Sequence, residues 1–145
     1  MTDPLRIAFD VACAPEHAFD LWTNKTSMWW PTSHTVSARP DVEVVIEPRV
    51  GGRIYERTPD GEEYDWGQVT GWDPPTRITY LWHLRQDRAD ASEVEITFTP
   101  AEPTGTRMQI EHRGWHALGA RGPDQRELNQ RGWARLLPHY RAAAG

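Results

Sequence analysis

Leu5-Arg6-Ile7-Ala8-Phe9-Asp10-Val11 alternates apolar with polar or small residues, the two-residue period of a half-buried strand. Pro15 follows at a position suited to a first helical turn. Ala18, Phe19 and Trp22 recur three or four apart before Thr23-Asn24, which predicts a short amphipathic helix. Ser27 is placed to cap a second short helix carrying Met28, Trp29 and Trp30, and Pro31 ends it by disfavouring helical geometry in the residue before it. A polar loop then runs to about Pro40.

From Val42 to Trp115 the pattern is that of a meander, apolar alternation interrupted by turn chemistry. Val42, Val44 and Ile46 share one strand face, and Val50-Gly51-Gly52 reverses the chain into Arg53–Arg57. Pro59-Asp60-Gly61 turns it again, because proline presets one torsion and glycine accepts a positive one, and joins that strand to a strand from Tyr64 to Trp72. After Asp73-Pro74-Pro75, a strand from Ile78 to Leu84 sets Tyr80 and Trp82 on one side and Thr79, Leu81 and His83 on the other. Val94, Ile96 and Phe98 alternate with Glu95, Thr97 and Thr99, and Met108, Ile110 and His112 with Arg107, Gln109 and Glu111. This makes about seven strands.

Past a glycine-rich connection, Pro123 to Ala144 reads as one long helix with Leu128, Gly132, Trp133, Leu136, Leu137 and Tyr140 on its apolar stripe. Pro138 lies inside it and predicts a kink, having no N–H and colliding with the carbonyl four residues back. The expected fold is α+β: a curved antiparallel sheet of about seven strands around a long C-terminal helix, with two short helices after strand one. A twisted sheet gripping a helix closes poorly at both ends, so a cavity between them is expected.

The 145 residues fit one domain, residues 1–145, and no repeat, low-complexity tract or linker divides them. A chain of this size buries enough surface to be stable without staples, and its single cysteine, Cys13, forms no internal disulfide. No run of apolar residues is long enough to span a membrane, and residues 1–10 do not read as a signal peptide, so a cytoplasmic protein without membrane insertion is expected. Net charge is −5, from 16 Lys+Arg against 21 Asp+Glu, which argues against a nucleic-acid partner. Eight tryptophans change the picture most: either the core is unusually aromatic or a molecule is bound among them.

Several segments together carry a family resemblance. They are Ala14-Pro15-Glu16 with Phe19 and Trp22, then Trp29-Trp30-Pro31, Arg49-Val50-Gly51-Gly52-Arg53, Asp60-Gly61, Gly67, Asp73-Pro74-Pro75-Thr76-Arg77-Ile78, Trp82, Gly105-Thr106 and Gly132-Trp133. Across roughly residues 5 to 142 the chain resembles the SRPBCC or START-like superfamily, within it the branch named for homologues of the activator of the heat-shock chaperone ATPase. The resemblance implies the helix-grip fold and a cavity for apolar or aromatic small molecules. It implies no particular reaction, since the superfamily includes lipid carriers, hormone receptors, polyketide aromatase/cyclases and chaperone activators. Tyr55 and Glu56 in the second hairpin, and His112-Arg113-Gly114-Trp115-His116 after the last strand, depart from the commoner pattern and leave the ligand open.

Strand parity assigns Tyr80, Trp82, Val94, Ile96, Phe98, Met108, Ile110 and His112 to the concave face, opposite Trp133, Leu136, Leu137 and Tyr140. These are the candidate ligand-binding residues, with Trp29 and Trp30 either lining an entrance or pinning the short helices to the sheet. Each is equally an ordinary core position. His112 is the candidate for proton transfer, against the alternative of a core histidine bonded to backbone. Glu56 is a candidate partner if it points inward, although a strand glutamate is more often solvated. Glu62, Glu63 and Asp65 read as a solvated loop tip and Cys13 as a small buried hydrophobe. His112 and His116 have an i, i+4 interval on what reads as a strand end, so no metal is expected, and no cofactor motif occurs. Three functions stand open: a binding protein for a small apolar or aromatic ligand, an aromatase/cyclase or dehydratase using His112 with Glu56 or Tyr80, and a chaperone regulator. An exposed edge strand leaves monomer and homodimer equally open.

Overall fold

A computed structural model describes residues 3–145. Seven strands form one antiparallel sheet: β1 (Leu5–Val11), β2 (Glu43–Ile46), β3 (Arg53–Arg57), β4 (Glu63–Asp73), β5 (Arg77–Trp82), β6 (Ser92–Ala101) and β7 (Gly105–Arg113). Their spatial order is β1-β7-β6-β5-β4-β3-β2, so six consecutive hairpin neighbours are completed by β1 returning beside β7. Helix α1 (Pro15–Thr23) follows β1, and helix α2 (Gly122–Ala144) closes the chain. The architecture is the expected α+β helix grip.

Alternation decides which face of the sheet meets α2. In β6, Ser92, Val94, Ile96 and Phe98 are buried while Glu93, Glu95 and Thr97 are not; in β7, Thr106, Met108, Ile110 and His112 are buried against them. The register sets Val94 opposite His112, Ile96 opposite Ile110 and Phe98 opposite Met108, so like faces meet across the ladder. The outer face carries a charged lattice in which Arg113 reaches Glu93, Glu95 and Glu111, and Arg77 reaches Glu95.

Helix α1 buries Ala18, Phe19, Leu21 and Trp22. Two of its carbonyls accept hydroxyls: Thr23 Oγ1 bonds back within the helix to Phe19 O at 2.8 Å, and Thr26 Oγ1 donates at 2.7 Å to Trp22 O, which the helix itself leaves unpaired at its end. The second short helix is smaller than expected, a single 3₁₀ turn over Thr26–Met28, and Ser27 does not cap it. Its hydroxyl instead accepts from Val44 N at 2.8 Å and donates to Val44 O at 3.3 Å, occupying the open edge of β2. A further 3₁₀ turn covers Thr32–His34.

One expectation for the last helix is corrected. Leu128 is 57% exposed and does not belong to the buried stripe of Trp133, Leu136, Leu137 and Tyr140. Pro138 lies within a helix that continues to Ala144, and upstream the backbone is non-helical at Gly119, inside the 3₁₀ segment Trp115–Arg121 that leads into α2. Proline removes only one N–H bond, and the buried residues on both sides hold the helix across that gap.

The strand from Ile78 also ends earlier than its alternation implies. Hydrogen bonding to β6 stops at Trp82, and His83, which the alternation set on the side away from Tyr80 and Trp82, lies past the strand end and is buried at 8% exposure. Between β3 and β4 the register passes from Ile54 opposite Gly67 to Tyr55 opposite Asp65, leaving Trp66 as a bulged residue. Its neighbour Gly67 lies where a Cβ would sit 2.0 Å from the carbonyl oxygen of Leu81. Gly67→Ala is therefore expected to lower stability by about 2 kcal/mol or more, read as the urea midpoint. An unchanged midpoint would show that β5 moves aside freely.

Candidate functional site

The interior is organised around a run of ring contacts. Trp133 stacks 6.1 Å from Trp22, Trp22 lies 4.8 Å from Trp29, Trp29 5.3 Å from Trp30, and Trp30 reaches both Trp66 at 5.0 Å and Trp82 at 5.8 Å, with Tyr80 5.7 Å beyond Trp82. Helix α1, the segment just after the 3₁₀ turn, two strands and α2 each contribute rings, so the cluster exists only in the folded chain. Of the residues expected to line a cavity, Tyr80, Ile96, Phe98, Met108, Ile110, His112, Trp133, Leu136 and Leu137 are all buried, none more than 7% exposed. They close on one another. Trp30 and Trp82 are half-buried and bring the aromatic run to the surface.

Five of the eight indole N–H groups are taken up by acceptors within the protein. Trp29 donates to Leu21 O, Trp30 to His34 O, Trp66 to Glu56, Trp115 to His112 O and Trp133 to His112 Nδ1. Both indoles of the Trp29–Trp30 pair therefore bond to backbone in and around the short helices; Trp29 is 4% exposed and Trp30 is half-buried.

His112 is a core histidine, as its burial at 0% exposure shows, but side chains rather than backbone hold its ring. Trp133 Nε1 lies 3.0 Å from Nδ1, and an indole only donates, so Nδ1 is the acceptor and Nε2 carries the proton. Nε2–H then donates to Ser92 Oγ at 2.6 Å, and the serine hydroxyl in turn donates to Trp82 O at 3.4 Å. Burial pushes the imidazole down to about 3, keeping it neutral. Both nitrogens are occupied, so this ring has no free lone pair with which to abstract a proton.

Glu56 does point inward and is fully buried, contrary to the more common placement of a strand glutamate. It does not meet His112. Its Oε1 accepts from Val36 N at 2.5 Å and Trp66 Nε1 at 2.7 Å, and Oε2 accepts from Ser37 N at 2.9 Å. Burial favours the protonated carboxyl, but the donors from Ser37, Val36 and Trp66 outweigh it and hold the group below the usual carboxylate range. On the other side of the same loop, Arg85, at φ 63°, donates to the carbonyls of Ser33 at 3.0 Å and Thr35 at 2.6 Å. Glu56 takes the loop's N–H groups and Arg85 its carbonyls, which straps residues 33–37 beside Trp30 and Trp66.

The remaining candidates are structural or peripheral. Burial pushes the hydroxyls of Tyr80 and Tyr140 up, and Tyr140 donates to Ala18 O at 2.7 Å. Burial likewise raises the Cys13 thiol, against a smaller opposing backbone hydrogen bond. Glu62, Glu63 and Asp65 are exposed, and Arg53 bridges Glu63 and Asp65. His116 is exposed while His112 is buried, and among the described residues no three His, Cys, Asp or Glu side chains gather as metal ligands. Among them, too, no helix is long and apolar enough to cross a membrane. Sequence reasoning missed Trp22 and Trp66 as parts of the ring cluster, and it missed Ser92 and His83. Ser92 shares the parity of Val94 and was findable; Trp66 sits at a bulge and His83 past a strand end, where parity fails.

A curved antiparallel sheet closed over a C-terminal helix with an aromatic interior defines a helix-grip domain of the START-like superfamily. The chain belongs to the family described as Activator of Hsp90 ATPase homolog 1-like protein, whose match spans residues 12–142. No curated protein matches it. Among solved structures, an anthrahydroquino-γ-pyrone synthase, Txn09, is 34% identical, with 85% of this chain and 84% of that chain covered at a TM-score of 0.61. CalC, a self-sacrificing resistance protein from Micromonospora echinospora, is 24% identical over 98% of this chain and 94% of that one at a TM-score of 0.70. An HSP90 activator from Plasmodium falciparum is 18% identical over 77% and 73% at 0.56. The last two likenesses establish the fold alone.

The pH response of stability follows from His112. Its folded value lies below its ordinary 6.5, so between the two the unfolded chain binds more protons and stability falls as pH falls. The loss between roughly pH 6.5 and 4.5 is expected to be on the order of 2–3 kcal/mol. Glu56, whose folded value lies below 4.5, adds its own loss at still lower pH. His112→Gln keeps an acceptor for Trp133 and a donor for Ser92 without titrating, so urea unfolding of that variant should show a much flatter profile over the upper window. An equally steep profile would assign the effect elsewhere.

Proposed function

We propose that this protein binds a small, planar aromatic molecule of the polycyclic polyketide kind at the mouth formed by Trp30 and Trp82, acting in the cytoplasm. The observation that carries the reading is the ring cluster reaching the surface there, in a chain 34% identical to a synthase of anthrahydroquino-γ-pyrones. Stacking on the two half-buried indoles and burial of apolar area would supply the affinity. Tyr80, Ile96, Phe98, Met108, Ile110, His112, Trp133, Leu136 and Leu137 form the wall behind that mouth. A guest that goes deeper displaces side chains that now touch one another, and the strapped loop at residues 33–37 is the segment that must yield.

The synthase supports a second reading, cyclase-like catalysis on the bound molecule. In that case His112 and Glu56 are positioning residues: they are apart, and each is fully hydrogen-bonded within the protein. The chaperone-regulator reading has the family name behind it and no feature of the site.

Tryptophan fluorescence tests the binding reading directly. Titration with anthraquinone, a chromone and a flavone is expected to quench emission saturably with at least one of them. Trp82→Ala should weaken that binding about tenfold, the worth of one lost aromatic contact, with the fold retained by circular dichroism. Emission unaffected by every compound would overturn the proposal.

A further inference from the structure

Beyond the ring cluster, Trp82 also walls a second feature. Where β5 ends, the chain from His83 to Asp90 crosses toward the first turns of α2 and encloses a cavity of about 20 Å³. His83, Gln86, Ser92, Gln125 and Asn129 provide its polar lining, and Trp82, Leu84, Trp115 and Leu118 its apolar lining. A space of this size takes about one oxygen atom with its hydrogens and no ring. Trp82, Leu84 and Leu118 are themselves half-buried, so an apolar rim surrounds the polar hole.

His83 makes this more than a packing gap. It is 92% buried by difference from its 8% exposure, and its Nδ1 is the one buried side-chain nitrogen or oxygen without a hydrogen-bond partner among the described residues. A buried polar atom left unpaired is costly, and native proteins rarely carry one without use. The neighbouring groups are otherwise engaged: Gln86 donates to Gln125 Oε1, Asn129 Nδ2 donates to Gln125 O at 2.8 Å, and Ser92 is held between His112 and Trp82 O. What stays without a partner at the hole is the Nδ1 of His83, among the amide side chains of Gln86, Gln125 and Asn129 that line it.

We infer that this hole is a socket for a hydroxyl group on the ring of a bound aromatic, with His83 as the residue that selects for it. The inference rests on the reading that the protein binds planar aromatics at Trp82. A hydroxyl both donates and accepts, so it satisfies Nδ1 in either imidazole tautomer, while the amide lining supplies the complementary partner. A methyl ether of the same ring cannot donate and is too large for the space. The ligand class is therefore a phenol or enol, its oxygen in the socket and its ring against Trp82, Leu84 and Leu118.

The test compares 2-hydroxyanthraquinone with 2-methoxyanthraquinone, below the pKa of the phenol, by tryptophan quenching. The native protein should prefer the hydroxyl compound about tenfold. His83→Phe should abolish that preference while leaving the affinity for the methoxy compound within about twofold. Equal affinities in the native protein, or a preference that survives the substitution, would overturn the inference. Phenol titrated into the unmutated protein provides a readout independent of the variant's folding and of the larger ligand. The His83 imidazole nitrogen signals should shift saturably by nitrogen NMR. If neither anthraquinone binds, the functional reading falls, and an unmoved His83 signal with phenol then removes the socket as well.

Discussion

Helix α2 is held in place by a hydrogen bond from one aromatic ring to another. The packing between helix and sheet is apolar along most of its length, and apolar contact alone leaves a helix free to slide or rotate by small steps. The indole of Trp133 donating to His112 Nδ1 removes that freedom, because the bond exists at one rotation and one axial position. Two turns on, about 10 Å along the axis, Tyr140 donates to Ala18 O and ties the same helix to α1. The imidazole passes the constraint onward through Ser92 to the carbonyl of Trp82, so helix, β5, β6 and β7 share one hydrogen-bonded chain.

A similar economy governs the loop beside Trp30 and Trp66. An ionised carboxylate with no cation beside it is normally excluded from an interior. Glu56 is tolerated because three N–H donors converge on it, two from the loop backbone and one from Trp66. The same bonds position Trp66 within the ring cluster and bring residues 36 and 37 against the sheet. Arg85 completes the strap from outside at a left-handed backbone position that disfavours any side chain, a local cost offset by its bonds to two carbonyls.

The aromatic interior thus serves packing and hydrogen bonding with different atoms. Indole faces and edges pack the core, and most of their N–H groups satisfy the protein's own acceptors, which leaves little polar capacity for orienting a guest. In the binding reading proposed above, selectivity comes from polar groups outside the main ring cluster, and His83 stands just past the end of β5, next to the half-buried Trp82. His112 and Glu56 looked like an acid/base pair because both carry chemistry and share the concave face. Their hydrogen bonds show that each completes a structural circuit of its own.

The sheet, the meander of its six later strands and the terminal helix were legible in the chain because alternation with period two and spacing of three to four are local signals that burial enforces; the place of β1 beside β7 was not. The inward parity of Tyr80, Ile96, Phe98, Met108, Ile110 and His112 followed from the same signal. Where regular structure stops, parity carries no information: Trp66 turns inward at a bulge, His83 is buried past a strand end, and Leu128 faces solvent despite its place in the helical stripe. The partners of His112 and Glu56 were equally beyond local reading, since Ser92, Trp133 and Trp66 lie 20, 21 and 10 residues away. Sequence by itself determined which faces would be dry; tertiary structure decided which polar atoms on those faces found partners, because a hydrogen bond depends on distance and direction that only the assembled fold supplies.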